Sequence, residues 1–433
     1  MKKKTWYKLD NAAKIFPPIS NEKRGSMFSV SVLLKESIDG KILNDAVNII
    51  LERFPTFKVR LKRGVFWYYL EENNKPFIVE EEPDDFLSYI NESKTNNYLF
   101  RVFYFNNKIT LSIFHALTDA NGGMEFLKAL IYEYLVLKGY KIKSDGQLTT
   151  IYSPPTFDEK DDQFLKIYDK NAQKPNKENF AFRVSGTPLN RIGCCVTTGT
   201  VSVTELKKLA KQYNVTITAY LAGLLMYSIY TAFIKDKRVK NKLIKIVIPV
   251  NLRKFYSTKT MRNFILYTRP EHNFVSPISL EECIKTCSKQ LIEGSKKESL
   301  DKILYSNVKI EKNWLLKIVP LFIKDIALNI GWAVKGDSLH TATLSNIGKV
   351  ELPEEFNSFV DSFIFTIGAS YSAKIMTSVV SYKDKLNISF CRSIVENGHE
   401  KIFFNTLADN GIKIQINSNY WEENKWNIVI NVK

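Results

Sequence analysis

Histidine is scarce in this sequence, arginine is a minority among its bases, and no apolar run is long and uncharged enough to read as a membrane span. The four histidines, His115, His272, His340 and His399, share no metal-ligand spacing, which argues against a zinc site and leaves no metal to expect. Five cysteines, an odd count without a Cys-x-x-Cys spacing, argue against a disulfide framework and read as buried thiols in a reducing cytosol. Of the 62 basic residues only 12 are arginine, the residue favoured for bidentate phosphate and base contacts. The net charge of +17 is spread thinly along the chain, so it reads as a generally basic surface suited to an anionic small substrate, not as a nucleic-acid footprint. The basic start Met1–Lys4 runs into Trp-Tyr-Lys-Leu-Asp and not into an apolar signal core. Gly-x-Ser-x-Gly, phosphate-loop and Gly-x-Gly-x-x-Gly patterns are also missing, which removes the corresponding hydrolase and nucleotide-binding readings.

What is present suits a well-folded globular protein: 433 residues, 45% hydrophobic and 13% aromatic, long enough for two cores. Phe28–Leu34 reads as a strand, Leu43–Phe54 as a helix ending before Pro55, Val65–Leu70 as a strand, and Tyr98–Phe105 with Lys108–Phe114 as a strand pair around Asn106–Asn107. An apolar helix is predicted over Met124–Leu137. Residues 1–152 form a first half; 153–190, mixing four prolines with charged and polar residues, form a connecting segment; 191–433 form a second half. The second half opens with a strand at Val196–Val203, then helices capped by Thr204 and by Thr216 or Thr218. A strand at Leu243–Pro249, a helix at Leu280–Ile292 and later strands at Thr341–Leu344, Ser362–Ile367, Thr377–Tyr382, Lys385–Cys391 and near the chain's end follow. Trp314–Val334 is the most apolar stretch, but it carries Lys317, Lys324, Asp325 and Pro320. An amphipathic helix resting on a core is expected there, in preference to one lying on a membrane surface.

The segment with the most chemical content is His115-x-x-x-Asp119, between the strand ending at Phe114 and the apolar helix, with Gly122 and Gly123 in the loop. A group transfer from a thioester asks the protein for one base of near-neutral pKa in a dry, oriented site, and histidine has that pKa. At a strand end His115 would project from a rigid element. Asp119, four residues on, is suited to bracing the loop by pairing with a cation. The bare spacing also fits a structural histidine.

Ile113-Phe114-His115-Ala-Leu-Thr-Asp119-Ala-Asn-Gly122-Gly123 resembles the active-site loop of the chloramphenicol acetyltransferase, condensation-domain and wax-ester-synthase superfamily. Ile248-Pro-Val-Asn-Leu-Arg253, with Arg262-Asn263-Phe264 after it, and Leu344-Ser345-Asn346-Ile-Gly348 resemble later family segments in the expected order. The last is most similar to bacterial alcohol acetyltransferase-like members. The resemblance implies an α/β fold of two α+β sandwich halves, a pseudo-dimer with a tunnel between them. It implies acyl-CoA, or an acyl-carrier thioester, as co-substrate, no permanently bound cofactor, and an alcohol or amine acceptor. His115 is implied as the general base, Asp119 as structural, and Arg253 as its partner, although an ordinary exposed cation also fits Arg253. Gly122, Gly123, Asn263, Ser345 and Asn346 are implied to line the substrate site, a plain turn being the other reading of the last two. Phe114 replaces the first histidine of the doubled-histidine version, and the plant-type Asp-Phe-Gly-Trp-Gly segment is missing. Ala120 stands where many relatives carry glycine, a change that would be strained if the position required positive φ.

The expected function is therefore a cytoplasmic acyl-CoA-dependent O-acyltransferase. The alternatives are an amide-forming condensation enzyme fed by a carrier protein, and a catalytically silent relative that binds acyl thioesters or a partner.

Overall fold

Met27–Leu34 (MFSVSVLL) buries side chains on both faces, so the chain must cover it on both sides and along both edges. In the computed structural model, which describes residues 5–144, 146, 148–175, 178–189, 193–419 and 430–432, it is the second strand of a five-stranded sheet. It pairs antiparallel with Lys108–Phe114, which pairs with Phe100–Phe105 across a turn where Asn106 takes φ +51°. Glu80–Glu81 completes that side. The opposite edge is Val360–Ile367, antiparallel to Met27–Leu34. Residues 191–433 thus do not keep to one sheet: they lend a strand to the other lobe, and its Phe363 and Phe365 enter the first core. Without that strand, the apolar Met27–Leu34 would be an exposed edge. Helices Gly40–Arg53, capped by Asp39, and Ala120–Leu137, capped by Asp119, bury their apolar faces in the same core.

The second lobe is built on a nine-stranded sheet. Its strands run Ile265–Thr268, Leu243–Asn251, Ala342–Lys349, Ile375–Tyr382, Lys385–Arg392, Cys195–Ser202, Ile414–Ser418 and Ile430–Val432, with Glu271–Asn273 also pairing to Leu243–Asn251. Ala342–Lys349 is parallel to both neighbours, and the remaining pairs are antiparallel. Ile217–Phe233, apolar all round and capped by Thr216, is buried against this sheet. The helix before it, Val203–Gln212, starts earlier than the sequence suggested. Ser202 is its cap, while Thr204 bonds Asp384.

The connecting segment is anchored at both ends: Glu159 pairs with Arg53 of the first lobe at 2.9 Å, and Phe182 and Val184 enter the second core. The expected junction at 190–191 lies outside the described residues, as do residues 420–429 before the last strand. Sequence reading missed the helices Lys297–Lys312 and Gly398–Asp409, although Leu300, Leu304 and Val308 of the first recur at helical spacing. All five cysteines are buried. No described helix is long and apolar enough by itself to cross a membrane.

Trp314–Val334 departs from expectation. It is not one helix: Trp314–Ile318 and Leu321–Gly331 are broken at Pro320, which has no N–H to continue the ladder, and a π-helical turn begins at Trp332. Nor does it rest its apolar side on a core. Lys324 bonds the Phe66 carbonyl at 2.8 Å, Asp325 bonds Arg63 and Tyr68, and Asn329 bonds the Pro18 carbonyl, while the large apolar residues face outward.

Candidate active site

The strand Lys108–Phe114 ends at the seam between the lobes, and His115 is the first residue beyond it. Its backbone N–H donates to the Ser26 carbonyl at 3.0 Å, which keeps the loop in line with the neighbouring strand. The ring is half-buried. Phe16 stacks on it with centroids 4.6 Å apart and planes 12° apart, and Phe28 meets it edge-on at 5.1 Å. Burial against these rings pushes the imidazole pKa below its ordinary value. Its own carbonyl, the Asp119 charge and Asn263 act in the opposite sense without overcoming it.

The tautomer follows from the amide of Asn263. Nδ2 donates to the His115 carbonyl at 3.2 Å and to Asp10 Oδ2 at 3.1 Å; a carbonyl only accepts, so the amide orientation is fixed. Oδ1 then faces His115 Nδ1 at 3.0 Å and must accept. The ring proton therefore sits on Nδ1, and Nε2 keeps its lone pair. Asp10 supports this from behind, also accepting from the Asn263 and Ala13 backbone N–H groups, with the buried Arg262 as a nearby charge. Burial is the main influence on the Asp10 carboxyl and raises its pKa.

Asp119 is fully buried and fully engaged. Oδ1 accepts from the Gly122 N–H at 3.0 Å as the helix cap; Oδ2 accepts from Arg253 Nη1 at 2.7 Å and from the Phe264 N–H at 2.9 Å. Arg253 also donates to the carbonyls of Thr260 and Arg262. This carboxylate has no exposed surface and is occupied by protein donors. It joins the first-lobe loop to the second-lobe segment 251–264, and breaking such a buried pair typically costs about 3–5 kcal/mol.

The glycines work by closeness. A Cβ on Gly122 would lie 2.1 Å from Thr118 Oγ1 and 2.8 Å from the Met261 carbonyl oxygen, while one on Gly123 would lie 2.6 Å from Ile113 Cδ1. Thr118 itself donates to the Met261 carbonyl at 2.6 Å, and Asn251 to Asn121 at 3.1 Å, so the lobes meet along this loop. Ala120 is the first residue of the helix and is not among the positive-φ residues, so alanine carries no backbone strain there.

His115, Asp119, Gly122, Gly123, Arg253 and Asn263 are thus gathered at one place. Ser345 and Asn346 sit apart, on Ala342–Lys349, and among the described residues neither bonds the His115 loop. Asn346 spans Thr218 Oγ1 and the Gly348 N–H. Their neighbour Ile347 lines a cleft of about 200 Å³ whose other wall is Ala120, Met124 and Lys128. Asn263, implied to meet substrate, is almost fully buried, with its amide occupied by His115 and Asp10. Sequence reading missed Asp10, Phe16 and Phe28. Asp10 had only a local signal, an acid three residues before a helical N–H, and nothing tied it to a residue 253 positions away.

Two sandwich lobes, one strand exchanged between them and a histidine loop at their seam define the chloramphenicol acetyltransferase-like class. A family model described as alcohol acetyltransferase matches residues 185–404, and the chain belongs to that family. Among solved structures, trichothecene 15-O-acetyltransferase from Fusarium sporotrichioides is similar at TM-score 0.61 and 10% identity, covering 94% of each chain. TRI101 of F. graminearum, solved with coenzyme A and T-2 mycotoxin, aligns at TM-score 0.60 and 10% identity over 92% of this chain and 96% of that one. Wax ester synthase/diacylglycerol acyltransferase from Marinobacter aquaeolei aligns at 0.52 and 11% identity, over 93% and 100% respectively. No curated protein sequence gave a match.

Proposed function

We propose that the chain moves an acyl group from a CoA thioester to an alcohol, with His115 as general base. The observation that carries this reading is the half-buried imidazole whose Nδ1 is committed to Asn263, leaving Nε2 as the unprotonated nitrogen. Its lowered pKa keeps the ring neutral at neutral pH, the form a base needs.

In the proposed step Nε2 takes the hydroxyl proton as the alcohol oxygen attacks the thioester carbonyl carbon. The tetrahedral intermediate collapses with cleavage of the C–S bond, and the departing sulfur takes the proton back from the imidazolium. Ester and free CoA leave, and the ring is again neutral. Asn263 holds the tautomer, and Asp119 with Arg253 holds the loop; these are positioning residues. Gly122 and Gly123 let the loop and its helix approach the second lobe. Ser345 and Asn346 are assigned to the wall of the substrate passage beside Ile347, with Asn346 as its brace through Thr218. Residues 1–152 and 191–433 are the two functional halves, joined by 153–190, with the donor and acceptor meeting at their seam.

The basic surface suits the phosphates of CoA, and the coenzyme A complex of a structural relative supports that donor. The test is thiol release from a panel of acyl-CoA thioesters against alcohols and amines. Turnover that disappears in His115→Ala supports the base. Undiminished turnover in that variant removes it, and acyl transfer from a carrier-protein thioester alone would favour the condensation alternative.

A further inference from the structure

The helix Leu321–Gly331 is docked the wrong way round for a globular protein. Its buried residues are Leu321 and Lys324, and its bonds to the body of the protein come from Lys324, Asp325 and Asn329. Lys324 Nζ also lies 3.5 Å from the centroid of the Trp67 ring. At 100° per residue, Ile323, Ile326 and Ile330 fall on the opposite side, with Phe322 at its edge, and these residues, Phe322 included, are 45%, 58%, 60% and 57% exposed. Trp314, Leu315 and Ile318 of the preceding helix are exposed too. So are Val65 and Phe66, brought alongside by the bond from the Leu321 N–H to the Val65 carbonyl. Water-exposed apolar surface on this scale marks a binding face.

We propose that this face is a docking surface for an anionic lipid bilayer, on which the helix lies in the interface without spanning it. Charge selects this occupant. Between residues 309 and 334 the exposed charged side chains are Lys309, Lys312 and Lys317, all of one sign, whereas Glu311 and Asp325 are occupied by Lys14 and Arg63. The whole chain carries +17. Exposed lysines on the segment that carries an apolar face and an exposed tryptophan match the chemistry of a headgroup layer over acyl chains. A second copy of the chain fits less well, because a two-fold interface here brings lysines of one sign towards each other. The same helix packs on the turn Phe16–Ile19, and Phe16 stacks on His115. Docking therefore brings the bilayer close to the histidine loop. The proposal does not depend on what reaction that loop performs.

The test is co-sedimentation of the full chain with phosphatidylcholine vesicles, with and without phosphatidylglycerol. The wild type is expected to pellet with the phosphatidylglycerol vesicles and to be released by salt. Phe322→Asp with Ile326→Asp, both on the exposed side, is expected to weaken partitioning at least about tenfold with an unchanged melting curve. Lys317→Glu removes one cation and adds an anion, and is expected to weaken it by about fivefold or more. Equal pelleting of the variant and wild type overturns the proposal, as does failure to bind either vesicle. A dimer in light scattering that the double variant converts to monomer, without vesicle binding, assigns the face to a second copy.

Discussion

His115 and His399 are each set among aromatic rings, one in each lobe, and burial lowers the pKa of both. His399 has no exposed surface and lies between Phe233 and Phe390 at 5.7 and 5.8 Å; among the described residues neither of its nitrogens finds a hydrogen bond. Its pKa is pushed down to about 3. His115 has comparable ring contacts, yet one nitrogen is oriented by Asn263 and the residue is only partly buried. A lowered pKa alone therefore does not mark a base. What distinguishes the two in the structure is a partner that decides which nitrogen holds the proton.

The largest expected effect tests that distinction directly. His115→Ala lowers kcat/KM by about 10²–10⁴ with an unchanged melting curve, measured by release of CoA thiol. Asp119→Ala acts on both stability and rate: it leaves Arg253 uncompensated and lowers unfolding free energy by about 3–5 kcal/mol in urea titration. Asn263→Leu is expected to lower kcat about tenfold with little change in KM, because it frees the imidazole tautomer without touching substrate. The pH profile sharpens the contrast further. The base must be neutral, so activity is present above the depressed His115 pKa and is lost as pH falls through it; the acid limb of kcat/KM lies below the ordinary histidine value of about 6.5. His399→Phe has the smallest effect: activity unchanged and stability within about 1.5 kcal/mol by thermal melting, since the ring it replaces makes no hydrogen bond.

The loop itself was legible because its pieces are local: a strand ending at Phe114, an acid that caps the next helix, and two glycines in its first turn. Its supports were not. Arg253 is 134 residues from Asp119, and only the resemblance to a family suggested that pairing. Asn263 carried no spacing that revealed its hold on the ring, and the local spacing of Asp10 to Ala13 pointed nowhere near it. The strand Val360–Ile367 looked like any strand of the second half, because alternation reports a buried face and not which sheet supplies the neighbour. Trp314–Val334 was misread for a related reason. Periodicity detects two unlike faces but not which one the protein covers, and here Lys324, Asp325 and Asn329 find their partners inward.

By itself the sequence determined most of the strands and helices, the alternation that makes two sandwich halves, and the position of one histidine on a rigid strand end. Those properties depend on neighbours a few residues apart, whose periodicity and caps act through the local backbone. Only the tertiary structure decided which nitrogen of that histidine is free, which lobe holds each strand, and which side of the Leu321–Gly331 helix meets the surroundings. Each of these depends on groups hundreds of residues away, brought together by burial that no local pattern encodes.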